Sequence, residues 1–252
     1  AKWLAKQESF NDKSKFSSPL TAENGTNAVY GAVYDDEGAD KTGDGIRVDG
    51  SGTVSLEAKY NYVSGHDTGI YLTDKAASKN GTYNVSLKAE SNYIGGEISG
   101  LSAKGGSAHI EATNSYNHIK GLEGYGIESY GDASIAVIAL GNNLIEGSDA
   151  GISATDSSKV TLTAADSNII QAADNGYAIK ANACSNVSLG ADAYNYLLGA
   201  VYASGDNVSI NLIGNQSGSS NANYIDSKTV IEKAGDLESA VVSALYAEDG
   251  SS

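Results

Sequence analysis

Arginine occurs once in this chain, at Arg47; methionine is absent, proline and cysteine occur once each, and phenylalanine twice. Each scarcity closes something off. A single cysteine, Cys184, leaves no intrachain disulfide, which excludes the small stapled scaffolds. Its setting, Ala183-Cys184-Ser185-Asn186 ahead of an alternating segment, reads as a small filler rather than a nucleophile. One proline beside 30 glycines excludes collagen and Pro-rich linkers. Basic residues number 16 against 31 acidic ones, for a net charge of −15, and they form no cluster. Phosphate backbones need concentrated Lys and Arg, so no nucleic acid is expected as a partner. No apolar run is long enough to span a bilayer, so no direct membrane insertion of this stretch is expected. The chain starts at Ala1 without a signal peptide, and any export signal is expected to lie outside this sequence or to have been removed.

What is abundant points one way. Apolar residues make up 40% of the chain, enough for a packed interior, and glycine supplies the positive φ angles of many tight bends. An asparagine returns at Asn61, Asn92, Asn117, Asn143, Asn168 and Asn195, at separations of 31, 25, 26, 25 and 27 residues. Two residues after each stands Val63, Ile94, Ile119, Ile145, Ile170 or Leu197, and Asn223 with Ile225 is a candidate continuation. Ahead of each asparagine runs a period-two segment: Val54-Ser55-Leu56-Glu57-Ala58, Val85-Ser86-Leu87-Lys88-Ala89, Val160-Thr161-Leu162-Thr163-Ala164 and their equivalents. Alternation puts Val/Ile, then Leu/Ile/Val, then Ala on one inward face. Earlier still comes a third segment, as in Gly69-Ile70-Tyr71-Leu72, Gly126-Ile127-Glu128-Ser129 and Gly151-Ile152-Ser153-Ala154.

Three short strands per unit of about 25 residues predict an all-β chain: a single-stranded right-handed parallel β-helix of about seven rungs. Rungs stacked about 4.8 Å apart would make a rod roughly 34 Å long. The asparagines are expected at tight bends, where Asn tolerates left-handed geometry and stacked amides can hydrogen-bond from rung to rung. Residues 1–43 fit the repeat poorly and read as an N-terminal cap or partial rung. Residues 44–226 hold the repeats. Residues 227–252 read as an irregular or helical segment leading into a truncated further rung, because Ala244-Leu245-Tyr246-Ala247 repeats the first-strand pattern. The extra residues 73–84 in one unit are expected to project as a loop.

These Gly-Ile, Val-x-Leu-x-Ala and Asn-x-Ile units, with few Cys and Pro and an acidic surface, resemble the passenger region of bacterial autotransporters over residues 44–212. The resemblance implies export across an outer membrane, a location at the bacterial cell surface or outside the cell, and adhesion. The partners so implied are a host surface protein or glycan, or a second copy.

The residue after each ladder asparagine is the candidate binding position: Tyr62, Tyr93, His118, Leu144, Ile169 and Tyr196. Alternation turns this column outward, and a contiguous aromatic and aliphatic stripe marks an interaction site. The alternatives are that a loop covers the stripe or that the bend reverses the alternation. A mixed column of Arg47, Tyr71, Ser102, Glu128, Ser153, Lys180 and Tyr202 reads as a solvated face. A carbohydrate-active β-helix enzyme needs clustered acids with a base, for which Asp49, Asp74, Asp156, Glu97, Glu123, Glu146, Asp149 and Asp174 are available. No pair of rungs combines two of them with an arginine, so no catalytic residue is assigned and the chain is expected not to be an enzyme. His66, His109 and His118 fall in different units, so neither metal nor cofactor is expected. A structural spacer rod is the third reading.

Overall fold

The computed structural model describes residues 25–31, 43–77, 82–173, 176–214, 223–226 and 245–248. Among them are 23 strands, all parallel to their neighbours, and no helix. They form three sheets of 8, 8 and 7 strands, each built from every third strand of the chain.

The first sheet carries the asparagines and is called the ladder sheet. It holds β1 (Thr26–Tyr30), β4 (Tyr60–Ser64), β7 (Ser91–Gly96) and β10 (Asn117–Gly121), then β13 (Asn143–Gly147), β16 (Ser167–Ala172), β19 (Tyr194–Leu198) and β22 (Asn223–Asp226). The glycine sheet holds β2 (Ile46–Val48), β5 (Thr68–Leu72), β8 (Ser99–Ala103) and β11 (Tyr125–Ser129), then β14 (Ala150–Ala154), β17 (Tyr177–Asn182), β20 (Ala200–Ser204) and β23 (Leu245–Glu248). The alternating sheet holds β3 (Val54–Glu57), β6 (Val85–Ala89), β9 (Ser107–Ala112), β12 (Ser134–Ala139), β15 (Lys159–Ala164), β18 (Asn186–Ala191) and β21 (Ser209–Gly214). Among the described residues the 7 strands of this last sheet mark successive rungs, with β1 preceding them and β23 following.

The inward columns are those the alternation predicts. Val85, Leu87, Val160, Leu162, Val187 and Leu189 are fully buried, and Ala89, Ala112, Ala139 and Ala164 close each strand at a crowded corner. Ile127, Ile152 and Ile179 from the glycine sheet and Ile94, Ile119, Ile145 and Ile170 from the ladder sheet complete one continuous core. Each such aliphatic side chain contributes about 1.5–3 kcal/mol on burial.

Glycine precedes the isoleucine for a steric reason. A Cβ at Gly126 would stand 2.7 Å from both the Gly151 oxygen and Ile145 Cγ2. The chain swings here from the ladder sheet into the glycine sheet, and at Gly126 one rung's backbone passes too close to the next for a side chain.

Most of the left-handed residues sit in a different turn, between the glycine and alternating sheets: Gly50, Gly106, Gly131, Asp156, Ser157, Ala183, Cys184, Gly205 and Asn207. This corrects two expectations. The ladder asparagines lie within strands, and none has a positive φ; hydrogen bonding places them there. Cys184 is an exposed turn residue with φ of 62°, not an interior filler.

At the ends, β1 pairs with β4 and aligns Asn27 with Asn61, so the described array extends into the segment read as a cap or partial rung. The later strand β23 pairs with β20, Leu245 opposite Val201, as its first-strand pattern predicts. The region read as helical or irregular, 227–243, lies outside the described residues, as do Trp3, Phe10 and Phe16. The described ends of the 73–84 insertion are tied to the body of the solenoid, and residues 78–81, where a projection would stand, lie outside the described residues. The Ala77 N–H donates to the Gly50 carbonyl (3.0 Å), and the buried Asn84 amide donates to Gly52 (3.0 Å) and Ala77 (3.1 Å).

Candidate binding surface

The ladder is the most regular polar feature of the fold. Asn27, Asn61, Asn92, Asn117, Asn143, Asn168 and Asn195 each pass one amide N–H to the Oδ1 of the next, ending on Asn223, at 2.8–2.9 Å throughout. The second N–H of each interior member caps a backbone carbonyl near the end of the next alternating strand: Glu111 for Asn92 (2.8 Å), Ile138 for Asn117 (2.7 Å) and Thr163 for Asn143 (2.9 Å). From Asn92 to Asn195 the asparagines are fully buried. A buried amide is tolerated when its donors and acceptor are all engaged, and here the repeat guarantees it.

Alternation then turns the following residues outward, and Tyr62, Tyr93, His118, Leu144, Ile169, Tyr196 and Tyr224 fall in one register. The stripe is contiguous, but it is not uniformly accessible. Tyr62 and Tyr93 stack with centroids 4.8 Å apart at 9°, and Tyr93 meets His118 edge-on at 5.2 Å. The Tyr93 ring lies across Gly95, where an added Cβ would stand 2.9 Å from it. Burial pushes the Tyr93 hydroxyl up to about 12, with Tyr62 and Glu146 adding to the effect. His118, Leu144 and Ile169 in the middle are only 1%, 3% and 7% exposed. The accessible aromatic surface therefore gathers at two places. Tyr30 and Tyr60 stand beside Tyr62 at one end, and Tyr194, Tyr196 and Tyr224 cluster at the other.

The stripe's centre is held electrostatically. The His118 Nε2–H donates to Glu146 at 2.6 Å, and the Lys120 ammonium approaches the same oxygen at 3.5 Å. Burial of Glu146 works to raise its pKa, but the hydrogen bond and charge of His118, with Lys120, outweigh it, and the pKa lies below its ordinary value. A depressed carboxylate pKa stabilises the fold above the unfolded-state value, and that stability is lost as pH falls through the folded value. Urea titrations from neutral pH down through the carboxylate range should show the wild type losing stability on this limb. Glu146→Gln should cost about 1–3 kcal/mol at neutral pH and flatten the limb. An unchanged acid limb in the variant would remove Glu146 from the account.

No family model, curated protein or solved structure matches this chain. Function is therefore read from the geometry of the chain itself.

The mixed outer column of the glycine sheet is more organised than a merely solvated face. Arg47 lies over the Tyr71 ring at 4.9 Å and pairs with Asp44 at 3.2 Å. The Ser102 hydroxyl donates to Glu128 (2.8 Å), and so does that of Tyr130 (2.6 Å). Among the described residues no group of three or more His, Cys, Asp or Glu is placed to hold a metal ion. Of the candidate acids, Asp174 lies outside the described residues.

One feature escaped the sequence reading. Tyr125, Ser148, Asp149, Ala150, Gly176, Tyr177 and Lys180 line an open cavity of about 380 Å³ where the ladder sheet turns into the glycine sheet. The signal lay one position before the glycine of each Gly-Ile pair. Read down the rungs, that position runs Thr68, Ser99, Tyr125, Ala150, Tyr177, with a small residue between two rings.

Proposed function

We propose that this chain is part of an extracellular adhesin of the autotransporter-passenger type, a rigid rod that binds through the outer face of its ladder sheet. The observation that carries the reading is the aromatic column on that face. Tyr62 and Tyr93 stack on the sheet, Tyr30 is 59% exposed at one end, and Tyr224 is 49% exposed at the other. Stacked rings on a flat, stiff sheet offer a preorganised surface whose side-chain entropy is already spent, the property a contact face needs. The partner is a host surface protein or glycan, or a second copy. The buried centre of the stripe moves the contact to its two ends, so Leu144 and Ile169 support the face without touching a partner.

The test replaces the two accessible clusters separately and together. Tyr30→Ser with Tyr60→Ser, and Tyr196→Ser with Tyr224→Ser, should each lower adhesion of the purified chain to cultured epithelial cells, or its self-association in sedimentation, by tenfold or more. Circular dichroism must show the sheet signal intact. Adhesion and self-association unchanged with all four tyrosines replaced would leave the rod as a spacer.

A further inference from the structure

The cavity at the turn into the glycine sheet has the makings of a sugar site, and we propose that it binds one hexopyranose unit of a neutral glycan. It lies on a different face from the aromatic column and does not depend on that column's role.

The notch follows from the rung register. Tyr125 pairs with Ala150, and Ala150 with Tyr177, so two rings flank a methyl group across two rung intervals. At about 4.8 Å per rung the two tyrosine backbones stand about 9.6 Å apart. A saturated ring contacting an aromatic face on each side at about 3.5–4.0 Å needs roughly 7–8 Å between the faces. The interval between the two backbones leaves room for such a ring, and Tyr177 is held as one wall by Tyr202 of the following rung, with centroids 5.7 Å apart. Ala150 is fully buried beneath them and forms the floor. The main-chain wall at Gly176 must stay bare, because a Cβ there would stand 2.5 Å from the Ser148 oxygen.

Pyranoses present C–H patches on their faces and hydroxyls around the rim, so they need flat aromatic walls with polar groups at the edge. The rim here supplies both senses of hydrogen bond. Asp149 is exposed and offers carboxylate oxygens to hydroxyl donors; Ser148 adds a hydroxyl. The Lys180 ammonium, 5.6 Å from the Tyr177 centroid, offers donors to hydroxyl oxygens. The backbone is fixed at this point, since the Asp149 N–H donates to Gly124 (2.8 Å) and the Tyr177 N–H donates to Asp149 (2.9 Å). The cavity is at the small end of the range for ligand sites, the size of a sugar unit rather than a folded partner.

Charge selects the neutral class. Lys180 is balanced by Asp149 at the same rim, Glu128 lies two rungs away in the Lys180 column, and the chain carries −15 overall. A sialic or uronic acid would meet this field unfavourably.

The experiment titrates the chain with glucose, galactose, mannose and N-acetylneuraminic acid, followed by amide chemical shifts and by saturation transfer to the sugar. At least one neutral hexose should bind with a Kd on the order of 1 mM and shift the amides of Tyr125, Ala150 and Tyr177. Tyr125→Ser and Tyr177→Ser should each weaken binding tenfold or more, and Ala150→Phe, which fills the floor, should abolish it. Tyr62→Ser should leave sugar binding unchanged, while Tyr177→Ser should leave the ladder-face self-association unchanged; the two readings thus fail separately. No binding by any neutral hexose, preference for the sialic acid, or binding indifferent to Tyr125 and Tyr177 in folded variants would each overturn the proposal.

Discussion

Asn117→Ala is expected to destabilise the solenoid by about 3–5 kcal/mol, far more than truncating an ordinary polar side chain. Asn117 sits at the middle of the ladder with no exposure to solvent. Its removal strands the Asn92 amide N–H, which donates to it at 2.8 Å, and the Asn143 oxygen, which accepts from it at 2.9 Å. The Ile138 carbonyl loses its cap as well. Each buried group left unpaired costs about 1–3 kcal/mol, and the neighbours cannot recruit water at 0% exposure. Asn117→Asp should be worse still at neutral pH. An aspartate has no proton to give Asn143 or Ile138, and its charge would be buried without a counterion. The end of the same ladder supplies the control: Asn27 makes its ladder bond at a partly exposed position, and Asn27→Ala should cost no more than about 1 kcal/mol. Urea denaturation measures both. Because a solenoid is held by nearest-neighbour interfaces, a break at its centre should also lower the m-value as the two halves uncouple. A loss below about 1 kcal/mol at Asn117 would mean that the ladder decorates the fold without organising it.

The same ladder marks what is legible in a repeat sequence and what is not. Periodicity reads directly into structure wherever identical chemistry must recur, so the Val, Leu and Ala columns, the Asn register and the pairing of Leu245 with Val201 are all visible in the chain. Asn27-Ala28-Val29 carries the same Asn-x-aliphatic pattern, but without the two strand segments of a full unit around it, the first described member of the ladder reads only as part of a cap or partial rung. Exposure is harder to read than direction. Alternation correctly turns Leu144 and Ile169 away from the core, yet both are nearly inaccessible. Whether an outward side chain is covered depends on groups distant in sequence, which a local period does not encode. The sugar notch is legible only in part. The Tyr125, Ala150, Tyr177 series stands in the sequence, but the cavity also needs the turn at Ser148 and Asp149 to bring its rim beside Tyr177, and that juxtaposition comes from coiling.

Glycine supplies the sharpest separation between space and conformation, and Gly126→Val is expected to cost at least about 3 kcal/mol. The backbone at Gly126 is not left-handed, so the glycine is needed there only for close approach. A Cβ would meet the Gly151 oxygen at 2.7 Å, the Glu146 oxygen at 2.8 Å and Ile145 Cγ2 at 2.7 Å. Two of the three are backbone atoms belonging to the next rung's ladders, and they can retreat only by lengthening inter-rung hydrogen bonds. The sixth unit shows what relief requires: Ala178 occupies the equivalent position, and the β17–β20 register shifts between Tyr177 and Ile179. Gly50 poses the opposite case. Nothing lies within 4 Å of its absent Cβ, but its φ is 67°, so Gly50→Ala should cost only the left-handed penalty of about 1–2 kcal/mol. Gly190 has neither constraint, its nearest neighbour being the Leu162 oxygen at 4.0 Å on an outward strand position. Gly190→Thr should therefore stabilise the sheet by about 0.5–1 kcal/mol. Thermal and urea melts of the three variants should rank them in that order. A Gly126 variant no less stable than the Gly50 one would show that the corner between the two sheets yields freely, and that the Gly-Ile pattern is not a packing requirement.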